Sequence, residues 1–284
     1  MSLRRSMIRS LDRPGGRKLL GMVATGFARR VRGDDARIFY DGGWLHRLGS
    51  EYIPDGARFD YYENTVRNWP RKHEATRRNA RDYWFHLYEP QSGDVIVDIG
   101  AGLGSETPVF SQAVGPAGRV LAVEAHPTTF RHLKSSCKWN RLHNVTPCSR
   151  AISDRRREVY IEDNDNHEGN AVTSESDPGR MLGPISAVSL DELCAEHGIG
   201  HIDFLKMNIE GAERLAIRGM TRMIQRTRHV CIACHDFRGA DFRTKSNVIE
   251  FLRDNSFDLT LREEDPREYV RDHVHGVNRR FPSR

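Results

Sequence analysis

The sequence predicts an α/β protein with a doubly wound, mostly parallel sheet and an N-terminal helical cap. Three observations carry that expectation. A short apolar run over residues 94–98 feeds the turn Gly100-Ala-Gly-Leu-Gly104 and then a helical stretch to about Val114, the way a βαβ unit opens. Strand-like and helix-like segments then alternate to about Leu261. The chain has 284 residues, 38% hydrophobic and 29% charged, enough for one large domain with extensions.

Residues 1–33 read as a basic leader. Residues 34–92 are polar and aromatic-rich (Tyr61, Tyr62, Trp69, Tyr83, Trp84, Phe85), with a helix predicted over 75–88, and read as the cap. The domain proper is expected over 93–262. After the first strand, helix and the Gly115-Pro-Ala-Gly118 turn come a strand over 119–124 and a helix over 127–140, Pro127 being tolerated in its first turn. A third strand is expected over 145–152. Ser189 and Glu192 spell a capping box that opens a helix over 189–197. Strands over 202–207, 229–234 and 259–261 then alternate with helices over 212–225 and 244–255. The polar stretch 163–180 is a long loop of the kind that is functional or disordered, and residues 263–284 read as a solvated C-terminal tail.

The net charge of +5 is uneven. Residues 1–33 carry nine basic residues against the single acid Asp12, a net +8, which leaves −3 for the rest. The body is therefore not a basic surface built to grip nucleic acid. Within the leader Leu19, Leu20, Met22, Val23, Phe27 and Val31 fall at roughly helical spacing among the basics, a stripe suited to peripheral contact with an anionic membrane. No run approaches the length of a spanning helix. Five cysteines, an odd number without framework spacing, predict a reduced, cytoplasmic protein. Cys231 and Cys234 fall on opposite faces of a strand and read as core rather than as a metal or redox pair.

Three glycines at alternate positions let the backbone approach a ligand closely, and Glu124 ends the next strand, where an acid accepts hydrogen bonds from the ribose hydroxyls of a nucleoside cofactor. A dinucleotide fingerprint is G-x-G-x-x-G, with its third glycine placed for a pyrophosphate. This turn is G-x-G-x-G, which argues against an NAD-dependent oxidoreductase on the same architecture. A non-catalytic cofactor-binding module is the other alternative.

An acid, Gly-x-Gly-x-Gly and a second acid at the end of the next strand resemble motifs one and two of class I S-adenosylmethionine-dependent methyltransferases. The strings Val95–Gly104, Gly118–Pro127, Ala151-Ile-Ser-Asp154, Ser189–Leu193 and Ile202–Glu213 follow in the order seen in the FkbM family, which the chain resembles over about residues 92–237. The most specific block ends Glu210-Gly-Ala-Glu213, and relatives usually carry Asp where this chain has Asn208. The resemblance implies the Rossmann-like class I methyltransferase fold, S-adenosylmethionine as cofactor and O-methylation of a hydroxyl on a small-molecule or glycan acceptor, such as a sugar, a glycolipid precursor or another secondary metabolite. It implies that Asp98 and the turn Gly100, Ala101, Gly102 and Gly104 hold the methionine end and Glu124 the ribose. Ile152, Ser153 or Asp154 would meet the adenine edge, with Ala125 and Asn208 also at the cofactor.

A hydroxyl is a poor nucleophile at neutral pH and calls for a base or a metal. His235 is the preferred base, with Glu210 and Asp236 beside it at neighbouring strand ends. Asn208, Glu210, His235 and Asp236 also offer an oxygen-and-nitrogen set for a divalent metal, but no tight ligand spacing compels one. No Asp/Asn-Pro-Pro-Tyr/Phe string occurs, which argues further against a nucleic-acid substrate.

Overall fold

The computed structural model describes residue 8 and residues 10–56, 59, 63–163, 172–173 and 181–281. Its N-terminal part runs α1 (Arg17–Arg32), β1 (Arg37–Tyr40), β2 (Trp44–Leu48), β3 (Glu51–Pro54) and α2 (Glu63–Trp84). Besides the expected helix, the cap thus carries a three-stranded antiparallel sheet, β1-β2-β3. Half of the supposed leader is folded: Leu20, Ala24 and Ala28 of α1 are buried with Ile38, Trp44, Val66 and Trp69. The helix expected from residue 75 begins at Glu63 and contains Pro70, a residue that normally argues against a helix interior.

The body continues β4 (Val95–Ile99), α3 (Thr107–Val114), β5 (Arg119–Val123), α4 (Pro127–Trp139) and β6 (Val145–Cys148). It then forms β7 (Ala151–Ile152), β8 (Arg157–Glu162), β9 (Val172–Thr173), β10 (Met181–Val188) and α5 (Leu190–Glu196). The last elements are β11 (Ile202–Met207), α6 (Glu213–Ala216), β12 (Thr227–Ala233), α7 (Lys245–Asp254), β13 (Phe257–Leu261), α8 (Glu268–Arg271) and β14 (His273–Asn278). Seven strands form the main sheet in the order β13-β14-β12-β11-β4-β5-β6. All run parallel except β14, which is antiparallel to both neighbours. Strand order reverses between β4 and β11, and in open α/β sheets ligands bind beyond the carboxyl ends at such a point.

Alternate residues of each strand feed opposite cores. Val97, Ile99, Leu121, Val123, Leu205, Met207, Val230 and Ile232 pack with α5 and α7 on one face. Ile96, Val120, Ala122, Phe204 and Cys231 pack with Phe110, Leu133 and the α2 end at Trp84 and Phe85 on the other. Each large apolar side chain so buried contributes about 1.5–3 kcal/mol. Cys231 and Cys234 fall in different cores, as alternation requires.

Three expectations need correction. The strand expected over 145–152 divides: β6 ends the main sheet, where Pro147 removes a ladder donor at an edge strand, and β7 joins a second sheet, β7-β10-β8-β9. The helix over 212–225 is only α6 followed by 3₁₀ turns, and Gly219 among those turns packs where a Cβ would lie 2.4 Å from the Ser153 carbonyl oxygen. The supposed tail 263–284 supplies β14, an interior strand. The polar loop 163–180 lies outside the described residues except for Asp163 and β9.

Candidate functional site

A cavity of about 610 Å³ opens at the carboxyl ends of β4, β5, β11 and β12. Its floor is the glycine turn. Gly100 has φ +78, and a Cβ there would sit 1.9 Å from the Asn208 carbonyl oxygen, so only glycine lets the β4 and β11 ends approach this closely. Gly102 also has positive φ, but a Cβ there meets nothing within 4 Å, and Gly102 lines the cavity. A side chain at 102 would enter the space a ligand needs.

Glu124 closes the next strand end. Its carboxylate accepts from Gly102 N at 2.9 Å and His126 N at 2.8 Å. His126 also caps α4, its side chain accepting from Thr129 N. Burial pushes the Glu124 carboxyl up to about 7, against the pull of the two backbone N–H groups. Both oxygens retain acceptor capacity for further donors, as a ribose diol would provide.

Of the expected cofactor residues, Gly100, Ala101, Gly102, Glu124, Ala125, Ile152 and Asn208 line the cavity. Asp98, Gly104, Ser153 and Asp154 do not. Asp98 is buried beneath the turn, its Oδ1 2.8 Å from Lys206 Nζ; parallel register puts the two residues side by side. Burial raises the Asp98 carboxyl while Lys206 pulls it down. Gly104 faces α4, where a Cβ would lie 2.9 Å from Leu133 Cδ1, so its role is close helix packing. Ser153 is buried, accepting from Arg157 and donating to Asp154.

The far end of the cavity holds His235. Its Nε2 lies 3.3 Å from Glu210 Oε1 and its Nδ1 3.2 Å from Glu213 Oε1. Burial opposes the charge, but the Glu210 and Glu213 carboxylates, which accept from the ring, outweigh it and push the imidazole up to about 9. His235 is therefore charged at neutral pH and becomes a base only on losing that proton. Glu210, at φ +55, is held below the ordinary carboxylate range; burial alone would raise it, but His235 and Arg238 prevail. Asp236 is not part of this group: its Oδ1 accepts from Thr244 N and Lys245 N at the start of α7. Asp236 is thus placed on that helix end rather than at the His235 ring, and the four residues of the metal set are not brought together.

Four residues outside the expected set belong here. Lys206 lines the cavity and donates to the Gly100 carbonyl at 2.6 Å. A lysine within the apolar strand Ile202–Met207 requires a buried partner, and that was the available signal. Glu213, fully buried, accepts from Gly211 N and Thr244 Oγ1. Trp84 donates to Glu106 Oε2 at 2.7 Å and stacks on His273. Both it and His273 line the cavity, and no sequence spacing brings residues 84 and 273 together.

Residues 98–259 match the family model described as the methyltransferase FkbM domain. The chain is 28% identical over 217 residues to the 31-O-demethyl-FK506 methyltransferase FkbM of Streptomyces tacrolimicus, covering 66% of this chain and 80% of that protein. It is 24% identical over 189 residues to the hexuronic acid methyltransferase AglP of Haloferax volcanii, covering 63% and 75%. Among solved structures, a methyltransferase FkbM from Methylobacillus flagellatus KT gives a TM-score of 0.48 at 15% identity, over 79% of this chain and 63% of that one. Aeropyrum pernix fibrillarin with S-adenosylmethionine gives 0.44 at 17%, over 72% and 75%.

Proposed function

The chain belongs to the FkbM methyltransferase family, and from that premise we propose that it moves a methyl group from S-adenosylmethionine to a hydroxyl of a small-molecule or glycan acceptor. One observation carries the reading. A single cavity joins the glycine turn and Glu124 at one end to His235 and Glu210 at the other. Its volume falls within the roughly 300–1,000 Å³ of small-molecule sites. The residues fit the cofactor: Gly102 leaves room against the backbone, Glu124 accepts from a ribose diol, and Ile152 and Ala125 offer an apolar wall. S-adenosylmethionine, when bound, supplies a sulfonium-activated methyl group for in-line displacement.

The chain's own contribution is alignment, exclusion of water and a place for one proton. Trp84, Tyr83 and Tyr269 wall the acceptor end. The acceptor hydroxyl takes Glu210's position at His235 Nε2 and delivers its proton there as the oxygen is methylated. Glu213, on Nδ1, keeps the ring oriented and stabilises the resulting charge. The first test is calorimetric titration with S-adenosylhomocysteine, beside NAD, followed by turnover on uronic acids and other hydroxylated sugars. Micromolar S-adenosylhomocysteine binding, weakened tenfold or more by Glu124→Ala, together with methyl transfer to oxygen supports the reading. Binding of NAD instead, or methyl transfer to nitrogen, overturns it.

A specific observation extends the reading to where the acceptor is met. On the outer face of α1, Leu19, Met22 and Val23 are 55%, 65% and 62% exposed, next to exposed Lys18, Arg29 and Arg30. Apolar side chains flanked by cations suit an anionic lipid surface and a lipid-linked glycan. No helix among the described residues is long and apolar enough to cross a membrane. Cosedimentation with phosphatidylglycerol vesicles, lost in a Leu19→Ser/Met22→Ser/Val23→Ser variant, is the expected result; equal binding by both proteins refutes it.

A further inference from the structure

On the face of the sheet beneath the α2 end, three ligand-bearing side chains meet that the proposed methyl transfer does not use. Cys231 on β12 stands directly opposite His275 on β14, and His273 opposite Ala233. Strand alternation puts His273 and His275 on one face. All three are buried. Cys231 Sγ lies 3.9 Å from His275 Nε2, and one ligand atom from each residue lies within 4.8 Å of the others. No other such group of His, Cys, Asp and Glu occurs among the described residues.

We propose that Cys231, His273 and His275 form a three-ligand site for a zinc-type divalent cation. A thiolate with two imidazoles is a donor set for Zn²⁺ or Co²⁺ rather than for Mg²⁺ or Ca²⁺. Among the described residues these donors are not fully engaged. His273 Nδ1 is buried with no hydrogen-bond partner, and the thiol has only long contacts, to the Tyr83 carbonyl at 3.6 Å and to His275. Both imidazoles are buried, and a neutral imidazole offers a lone pair to a metal. Burial raises the thiol; metal binding displaces its proton, as at other thiolate sites.

The size fits. Tetrahedral zinc with bonds of about 2.0–2.3 Å holds its ligand atoms about 3.3–3.6 Å apart, so small side-chain rotations close the set. Nearby cations are already neutralised: Arg262 by Asp82 at 3.1 Å and Asp265 at 2.7 Å, and Lys206 by Asp98 at 2.8 Å. His86, its ring centroid 5.2 Å from that of His275, is the nearest further imidazole. Of the three proposed ligands only His273 borders the cavity, so the remaining position of a tetrahedral ion is reached from the acceptor side. An ion here ties β12 to β14 beneath Trp84, which stacks on His273 at 4.9 Å.

The test uses the full chain without an affinity tag, stripped with chelator and titrated with Co²⁺. The expected result is one equivalent bound, with a near-ultraviolet thiolate-to-cobalt band and the visible bands of a tetrahedral site, both displaced by Zn²⁺. Cys231→Ser abolishes the charge-transfer band, and His275→Gln weakens Co²⁺ binding at least tenfold. S-adenosylhomocysteine titration of each variant reports that the fold is intact. Should Cys231→Ser fail to fold, His273→Gln at the cavity edge tests the site through a loss of Co²⁺ affinity of at least tenfold. Absence of the band in the unaltered chain, a band that persists in Cys231→Ser, or an unchanged Co²⁺ affinity in His275→Gln overturns the site. Neither outcome bears on methyl transfer, because the readout needs no turnover.

Discussion

Replacing Glu210 by Gln separates proton acceptance by His235 from mere positioning. Nε2 of His235 lies 3.3 Å from Glu210 Oε1, and carboxylates on both ring nitrogens hold the imidazole up to about 9 against its burial. A hydrogen bond to a charged group contributes roughly 1.5–3 kcal/mol, about 1–2 pH units of midpoint. Glu210→Gln keeps the shape, removes one charge and moves the midpoint to roughly 7–8. At pH 7 about one unaltered molecule in a hundred has His235 neutral; in the variant the fraction rises about tenfold or more. If neutral His235 takes the hydroxyl proton, the rising, acid-side limb of kcat/KM shifts down in pH with it, and at pH 7 the variant gains turnover relative to its own plateau. Imidazole NMR of labelled protein reads the same midpoint without substrate. A limb that stays near 9 while the NMR midpoint falls refutes His235 as the base. The sign for stability is also fixed. His235 is raised above its ordinary 6.5, so its charge contributes fully below about 6.5 and is lost as pH rises through about 9.

Glu124 carries a pH signature of its own: ribose donors favour its ionised form, so S-adenosylhomocysteine binding releases a proton and tightens as pH rises through about 7. Calorimetry in two buffers of different ionisation enthalpy checks this, and Glu124→Gln flattens the dependence. Lys206→Met strands Asp98 in the core and costs about 3–5 kcal/mol by denaturant unfolding, while adding Asp98→Asn recovers much of that loss. Gly100→Ala forces a Cβ into the Asn208 carbonyl and lowers stability as well as cofactor binding. Gly102→Ala points into open cavity, so it loses mainly cofactor affinity, apart from the strain of its positive φ, and the two variants separate in a paired thermal and calorimetric comparison.

The parallel strands were legible because their apolar runs are short and bounded: Ile202–Met207 spans the residues the pattern assigns to it. The Ser189–Glu192 capping box is present as read. The cofactor end was legible because it is local, a turn and the next strand end. The acceptor end was not, because it is assembled across the chain, with Trp84, Glu213 and His273 meeting only after the sheet forms. Asp98 and Asp236 show the converse. An acid at a strand end is equally suited to a ligand, to a buried lysine or to a helix terminus, and only the fold decides. The strand β14 escaped notice because His273-Val-His-Gly-Val-Asn278 alternates histidine with valine and glycine, and the buried histidines imitate a polar surface.

The position of β14 also constrains how the protein is made. It lies between β12 and β13, yet it is synthesised after both. Until residues 273–278 leave the ribosome, β12 has an unpaired flank and β13 has no partner in the main sheet. A nascent chain in this condition presents open strand edges, the template on which chains pair with one another. Slow translation over the last stretch, or a truncation just before it, should therefore divert the chain into aggregates, although every residue of the glycine turn has already been made.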